Sequence, residues 1–156
     1  MLPIILQAIN VFYLDVNNLI HDIGYSPSTG KWNMGVLSDE GYTAMPNSGL
    51  TAMYNQCKMC ANTTIIAFQD MNGFIQIGSH TSGGWTLTQL GPALDPEMGT
   101  GLALQSFYRN DTADQINVYY PKSNLNVSLA SWKPVSGNNG SLSIDPLSHS
   151  LLMLQS

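Results

Sequence analysis

Few residues in this chain have types and spacings that could support chemistry. Asp39 with Glu40, and Asp95 with Glu97, are paired acids of the kind a glycosidase uses. Hydrolysis needs two converging carboxylates in unlike environments. Both pairs instead lie in Gly- and Pro-rich connecting segments, so they read as solvated loops and no enzyme is expected. Cys57 and Cys60, with Lys58 and Met59 between them, fit half of a zinc site, a redox dithiol, or a small disulfide across a tight turn. His21, His80 and His149 are too scattered to supply the other half of a zinc site. A redox dithiol would open a helix in a βαβ setting, and no such pattern surrounds Asn55 to Ala61. A local disulfide or two free thiols in a surface loop is the expectation. The serines form no Gly-x-Ser-x-Gly elbow and the glycines no phosphate cradle. Neither a cofactor nor a metal is expected.

Composition narrows the class further. The chain has 156 residues, 44% apolar and only 10% charged, enough for one domain with a buried core. Gly, Asn, Ser and Thr fill the polar positions, which favours strands and turns. A net charge of −5 has the wrong sign for a phosphate-tracking surface, so no nucleic-acid partner is expected. No apolar run approaches the roughly 18 residues of a membrane span, and Leu2 to Leu6 is interrupted by Pro3. That stretch also lacks the basic start and the small-residue cleavage site of a signal peptide. Four sequons (Asn62 with Thr64, Asn110 with Thr112, Asn126 with Ser128, Asn139 with Ser141) lean toward a secreted glycoprotein, as does the Cys pair. An extracellular location is expected if the N-terminus is a processed or truncated end.

The elements that would position any site repeat along the chain. Trp32, Trp85 and Trp132 are 53 and 47 residues apart. Before each lies a strand pair: Ile9 to Asp15 with Asn18 to Tyr25, Thr63 to Asp70 with Gly73 to His80, and Ile116 to Lys122 with Leu125 to Ala130. Short joints at Val16–Asn17, Met71–Asn72 and Ser123–Asn124 have hairpin chemistry. Alternation at Ile75 and Ile77, and at Leu125, Val127 and Leu129, gives each such strand one buried face. Small apolar segments (Asn47 to Met53, Gly99 to Leu104, Ser148 to Met153) suit a crowded innermost strand. Pro46, Pro96 and Pro146 precede them and help to stop the foregoing outer strand.

An inner strand, two middle strands and a Trp-led outer strand, repeated at this period, are the signature of a β-propeller blade. The fold expected is therefore all-β, with about three four-stranded antiparallel blades over 1–45, 46–95 and 96–145. Met1 to Gln7 would be the first inner strand, and 146–156 an orphan inner strand. Propellers use four to eight blades. Three blades should thus be half of a six-bladed ring, closed by a homodimer or by further blades.

Ile9 to Tyr13 and Ile116 to Tyr120, each followed by a hairpin and then a tryptophan, resemble repeats of the fungal fucose-specific lectins. The resemblance covers nearly the whole chain. It implies a six-bladed propeller, with related two-blade bacterial lectins that trimerise, and a non-catalytic partner chemistry of glycans or glycoproteins. It further implies sugar pockets between adjacent blades. An arginine from the second strand and a glutamate from the third would hold hydroxyls, and aromatics of the third and outer strands of the next blade would form an apolar wall.

Carried over, the arginine position falls on Asn10, Ile65 and Asn117, and the glutamate position on Asp22, Ile77 and Val127. The third-strand aromatic falls on Tyr25, His80 and Ala130, and the outer tryptophan on Trp32, Trp85 and Trp132. No blade keeps the arginine and only one keeps an acid, so weak affinity and altered specificity are expected. The carbohydrate-binding candidates are Asn10, Asp22, His80 and Trp85 between the first two blades, with Tyr25 and Trp32 beside them. The alternative is a structural or protein-interaction propeller that has lost its sugar sites.

Overall fold

The computed structural model describes residues 9–55, 63–81, 83–90, 95–109, 113–123, 126–133 and 141–143. Cys57, Cys60, Asn62, Asn110, Asn139, His149, Ser82 and Leu125 lie outside them, as do the strands expected at Met1 to Gln7 and at 146–156. Three antiparallel sheets follow one another along the chain. The first has three strands among the described residues, β1 (Ile9–Leu14), β2 (Ile20–Ser26) and β3 (Lys31–Met34), followed by a 3-10 turn at Val36–Asp39. The second is β4 (Thr51–Asn55), β5 (Thr63–Gln69), β6 (Ile75–Thr81) and β7 (Gly84–Gln89). The third is β8 (Ala103–Arg109), β9 (Ala113–Pro121), β10 (Val127–Lys133) and β11 (Ser141–Ser143). Within each sheet the strands pair in chain order.

The hairpin turns fix the register of every sheet. Asp15 ends β1, and its Oδ1 accepts the N–H groups of Asn17 and Leu19, each at 2.8 Å. Asp70 repeats this after β5, accepting from Asn72 and Phe74 at 2.9 Å each. Such an Asx turn satisfies loop donors that strands cannot. The fourth residue of each turn takes a positive φ, 61° at Asn18 and 83° at Gly73, where Asn and Gly are tolerated best. At the third hairpin Lys122 stands in the aspartate's place. The backbone closure survives there, with Lys122 N–H donating to Asn126 O as Asp15 does to Leu19 O and Asp70 to Phe74 O. Asp15, Asp70 and Lys122 are therefore equivalent, and so, five residues earlier on each strand, are Asn10, Ile65 and Asn117.

The links between sheets repeat as well. Ala44 bridges Asp70, and Pro96 bridges Lys122. Met45 N–H donates to Gln69 O at 2.7 Å, and Glu97 N–H to Pro121 O at 2.9 Å. Asn47 and Gly99 then turn the chain inward at φ of 66° and 68°. The next segments touch: Gly49 N–H donates to Thr100 O, and a Cβ on Gly49 would sit 3.0 Å from the Gly101 Cα. Two chain segments can approach this closely only without side chains between them. Gln69, fully buried, adds a cross-link, its Oε1 accepting from Gly99 N–H at 2.8 Å.

Two apolar layers hold the sheets face to face. Between the first and second lie Ile20, Leu37, Ala44, Ile66 and Phe68, with Phe12, Leu14, Trp85 and Leu87 packed against them. Between the second and third lie Ile65, Ala67, Ile75, Ile77, Leu90, Ile116, Val118, Tyr120 and Ala130. The second sheet thus buries both faces, which explains the near-continuous apolar run of β5.

One expectation needs correction. Trp132 does not open an outer strand: it lies on β10, opposite Ile116 of β9 and Leu142 of β11. The turn at Lys122–Asn126 sets this register and carries β10 three residues beyond Ala130. Trp132 is therefore the third-sheet counterpart of Tyr25 and His80, and Leu142 is the counterpart of Trp32 and Trp85. By the same register the counterpart of Asp22 and Ile77 is Leu129, which pairs with Tyr119, rather than Val127.

Candidate functional site

The six carbohydrate-binding candidates divide between two faces of the first sheet and one of the second. Asn10 is paired with Gly24, and Phe12 with Asp22. Directly opposed residues share a face, and Phe12 and Ile20 belong to the layer against the second sheet. Asn10 and Asp22 therefore look toward the second sheet. His80 and Trp85 are paired across β6 and β7. Trp85 packs in that same layer, so this pair looks back at the first sheet. Tyr25 and Trp32, also a cross-strand pair, lie on the opposite face of the first sheet, away from the second. The alternation of the strands thus gathers four of the six at one seam and sends two elsewhere.

At the seam the aromatic wall is real. The His80 and Trp85 rings lie 5.1 Å apart, inclined at 40°. The chain brings up a third ring that the motif reading omits: Phe12 meets Trp85 edge-on at 6.2 Å and 83°. Its place was recoverable, since alternation puts Phe12 on the face of Asn10. The indole Nε1 of Trp85 is buried and has no hydrogen-bond partner among the described residues. A buried donor without an acceptor is costly, about 1–3 kcal/mol, and this N–H is such a donor at the seam. His80 is half-buried, and its backbone carbonyl accepts from the Thr63 hydroxyl.

Asp22 is held differently from a solvated strand residue. It is buried, and its Oδ1 accepts the Ser38 N–H at 3.3 Å and the Ser38 hydroxyl at 3.4 Å. Ser38 Oγ in turn accepts the Asp22 N–H at 3.0 Å, and the Asp22 carbonyl accepts the Gly35 N–H at 2.9 Å. The turn after β3 thus folds back onto this carboxyl. Gly35 makes the approach possible, because a Cβ there would lie 1.9 Å from Asp22 Oδ2. One carboxylate oxygen fastens the turn while Oδ2 lies beside it. Asn10 is exposed, with its Oδ1 3.0 Å from where a Gly24 Cβ would stand.

The next seam is dry. Ile65 and Ile77, the counterparts of Asn10 and Asp22, are buried in the second apolar layer. On the far face of the third sheet, the counterpart Asn117 is buried in a polar cluster, its Oδ1 accepting from Gln115 Nε2 at 2.9 Å and Ser131 Oγ at 2.8 Å. The Tyr25 and Trp32 rings lie 5.4 Å apart, tilted at 51°, with Trp32 half exposed.

The acidic loop pairs behave as isolated surface groups. Glu40 accepts from the Tyr42 hydroxyl at 3.3 Å, and burial, reinforced by that carboxylate, pushes the phenol above its ordinary value. Asp95 accepts from Ser123 Oγ at 3.0 Å, and Glu97 is exposed. Among the described residues no group of three or more His, Cys, Asp or Glu could hold a metal. No helix among them is long and apolar enough to cross a membrane.

Comparison with curated proteins finds no match. Solved structures share the fold. AofleA from Arthrobotrys oligospora is 18% identical with a TM-score of 0.66, over 87% of this chain and 38% of that one. An Aleuria aurantia lectin described as a six-bladed β-propeller is 20% identical with a TM-score of 0.64, over 86% of this chain and 40% of that one. A fucose lectin from Kordia zhangzhouensis, solved with methyl-fucoside, is 14% identical with a TM-score of 0.63, over 89% of this chain and 91% of that one. This chain therefore spans about two fifths of the Arthrobotrys and Aleuria proteins and nearly all of the Kordia one. Its three stacked sheets form part of a β-propeller. A family model described as fungal fucose-specific lectin matches residues 4–145, the span in which the sheets, seams and aromatic pairs all lie, and the chain belongs to that family.

Proposed function

We propose that this chain is a non-catalytic, carbohydrate-binding lectin whose working pocket is the seam between the first and second sheets. The observation that carries this is the His80–Trp85 ring pair on the face turned toward Asn10 and Asp22, with an indole N–H that has no acceptor among the described residues. Aromatic faces pack on the apolar side of a pyranose, and amide and carboxylate groups accept or donate to its hydroxyls. The chain's sole arginine, Arg109, is on the innermost strand β8 and not at an equivalent of Asn10. Without a guanidinium fork the pocket loses charge-assisted bidentate contacts, so it binds a deoxyhexose such as fucose weakly or prefers another sugar. The dry seam favours a second reading for its own location: there the propeller has given up sugar binding for packing.

Blades over about 1–45, 46–95 and 96–145 belong to a ring completed by a second copy or by further blades. Secretion and N-glycosylation complete the reading, with Asn126 the exposed sequon among the described residues. A glycan array tests the function: binding competed by free monosaccharide and lost in His80→Ala supports it. Silence at high protein density leaves the interaction module.

A further inference from the structure

Three carboxylates that hold turns in place are answered unequally. Asp15 Oδ2 lies 3.5 Å from His21 Nε2, and Asp70 Oδ2 accepts from Gln76 Nε2 at 2.7 Å. Asp22 is buried, yet both hydrogen bonds to its carboxylate come from Ser38 and both end on Oδ1. Among the described residues nothing donates to Oδ2, and no lysine, arginine or histidine pairs with it. His21, its neighbour in sequence, lies on the other face, opposite Tyr13. Lys31 does share the face of Asp22, but it pairs with Ser26, four residues along β2, about 13 Å away at the rise of a strand. Gly35 leaves no side chain over Oδ2.

The rest of that face is neutral. Gly24 pairs with Asn10 on one side and Asn33 on the other, so the three make a row across β1, β2 and β3. Gly24 adds no side chain, the Asn10 amide leans over it, and both asparagines are exposed. Phe12, the cross-strand partner of Asp22, touches Trp85, so a single side chain links the carboxylate to the ring wall. The counterparts of Asp22 on the other sheets, Ile77 and Leu129, carry no charge. A negative group without its counter-charge is thus particular to this seam.

We infer that the ligand supplies that charge: the seam takes an amino sugar, a 2-amino-2-deoxyhexose whose ammonium meets Asp22 Oδ2 while its ring lies on His80 and Trp85. The inference rests on the lectin reading above and names the class of sugar. A buried carboxylate is costly unless a cation answers it. A hydroxyl satisfies an acceptor but not a charge, whereas an ammonium makes a charge-assisted hydrogen bond. The face of an indole attracts the same cation, and a net charge of −5 draws it in from solution. The amides of Asn10 and Asn33 both donate and accept, which suits the remaining hydroxyls.

Titration calorimetry of the full chain, at neutral pH and low salt, should compare glucosamine and galactosamine with their N-acetyl forms, which keep every hydroxyl and lose the charge. At least one amine should bind about tenfold or more tightly than its N-acetyl form, and about 1 M salt should narrow the gap. Ethanolamine, an amine without the ring, should not compete. Asp22→Asn should bring the amine down to the level of its N-acetyl form. Asn10→Lys, at an exposed position on the same face, supplies the cation from the protein and should erase the preference as well. N-acetyl or neutral sugars bound as tightly as the amines, or a preference that survives both substitutions, would overturn the inference and leave the lectin reading standing. Equal competition by ethanolamine would do the same. A chain that binds no sugar of either kind overturns both.

Discussion

Asp22 shows how far a single position can move between a motif and a fold. As a motif it is the one acid retained at a sugar-binding position; in the fold its Oδ1 also fastens the Gly35–Ser38 turn. That second role was not legible in sequence, because it depends on a turn sixteen residues away folding back over β2. The faces of Asn10, Phe12 and Asp22 were legible, because alternation and a short hairpin settle them. Gly35→Ala should destabilise the protein by about 1–3 kcal/mol in urea unfolding, since the new methyl must displace a buried carboxylate. Asp22→Asn should keep most of the fold, as the amide oxygen still accepts from Ser38, while weakening glycan binding if Oδ2 meets the sugar. Equal loss of stability and binding in that variant would assign Asp22 to structure alone. Asp15 offers a pH test. The backbone N–H of Leu19, followed by that of Asn17 and by His21, holds its carboxyl below the ordinary value of 3.8. A depressed folded-state value gives stability that is present above about 3.8 and is lost as the pH falls through the lower value. The Tm difference between wild type and Asp15→Asn should therefore be constant near neutrality and shrink in acid.

At the scale of elements, hairpins carry the order. Their existence and the joints between their strands follow from the sequence, but register depends on which two residues close the turn. In the third hairpin that pair is Lys122 and Asn126, and it places Trp132 opposite Ile116. The near-regular spacing of the tryptophans suggested otherwise, and spacing lost to hydrogen-bond geometry. Asp70 should matter most among the turns, because its carboxylate serves two backbone N–H groups and, through Oδ2, Gln76 Nε2 at 2.7 Å. Asp70→Ala should cost about 1–3 kcal/mol by thermal or urea unfolding. Asn18→Gly, which relieves a left-handed residue, should be neutral or slightly stabilising in the same assay.

For the whole molecule, the sequence supported the number of sheets and their repeat, while the division of labour between seams needed the packed faces. One seam carries rings with polar partners and the other is filled mostly with aliphatic side chains, Tyr120 being the aromatic among its buried residues. The sheets in the stack also differ in how many of their faces are covered. The second is gripped on both sides and cross-linked through Gln69 to Met45 and Gly99, whereas the first and third each have one neighbour. Opening free energy follows buried contact, so in a single, unassociated copy amide hydrogen exchange should be slowest in β5 and β6 and faster in β1 to β3. In a closed ring that gradient would vanish, since no sheet would then be terminal.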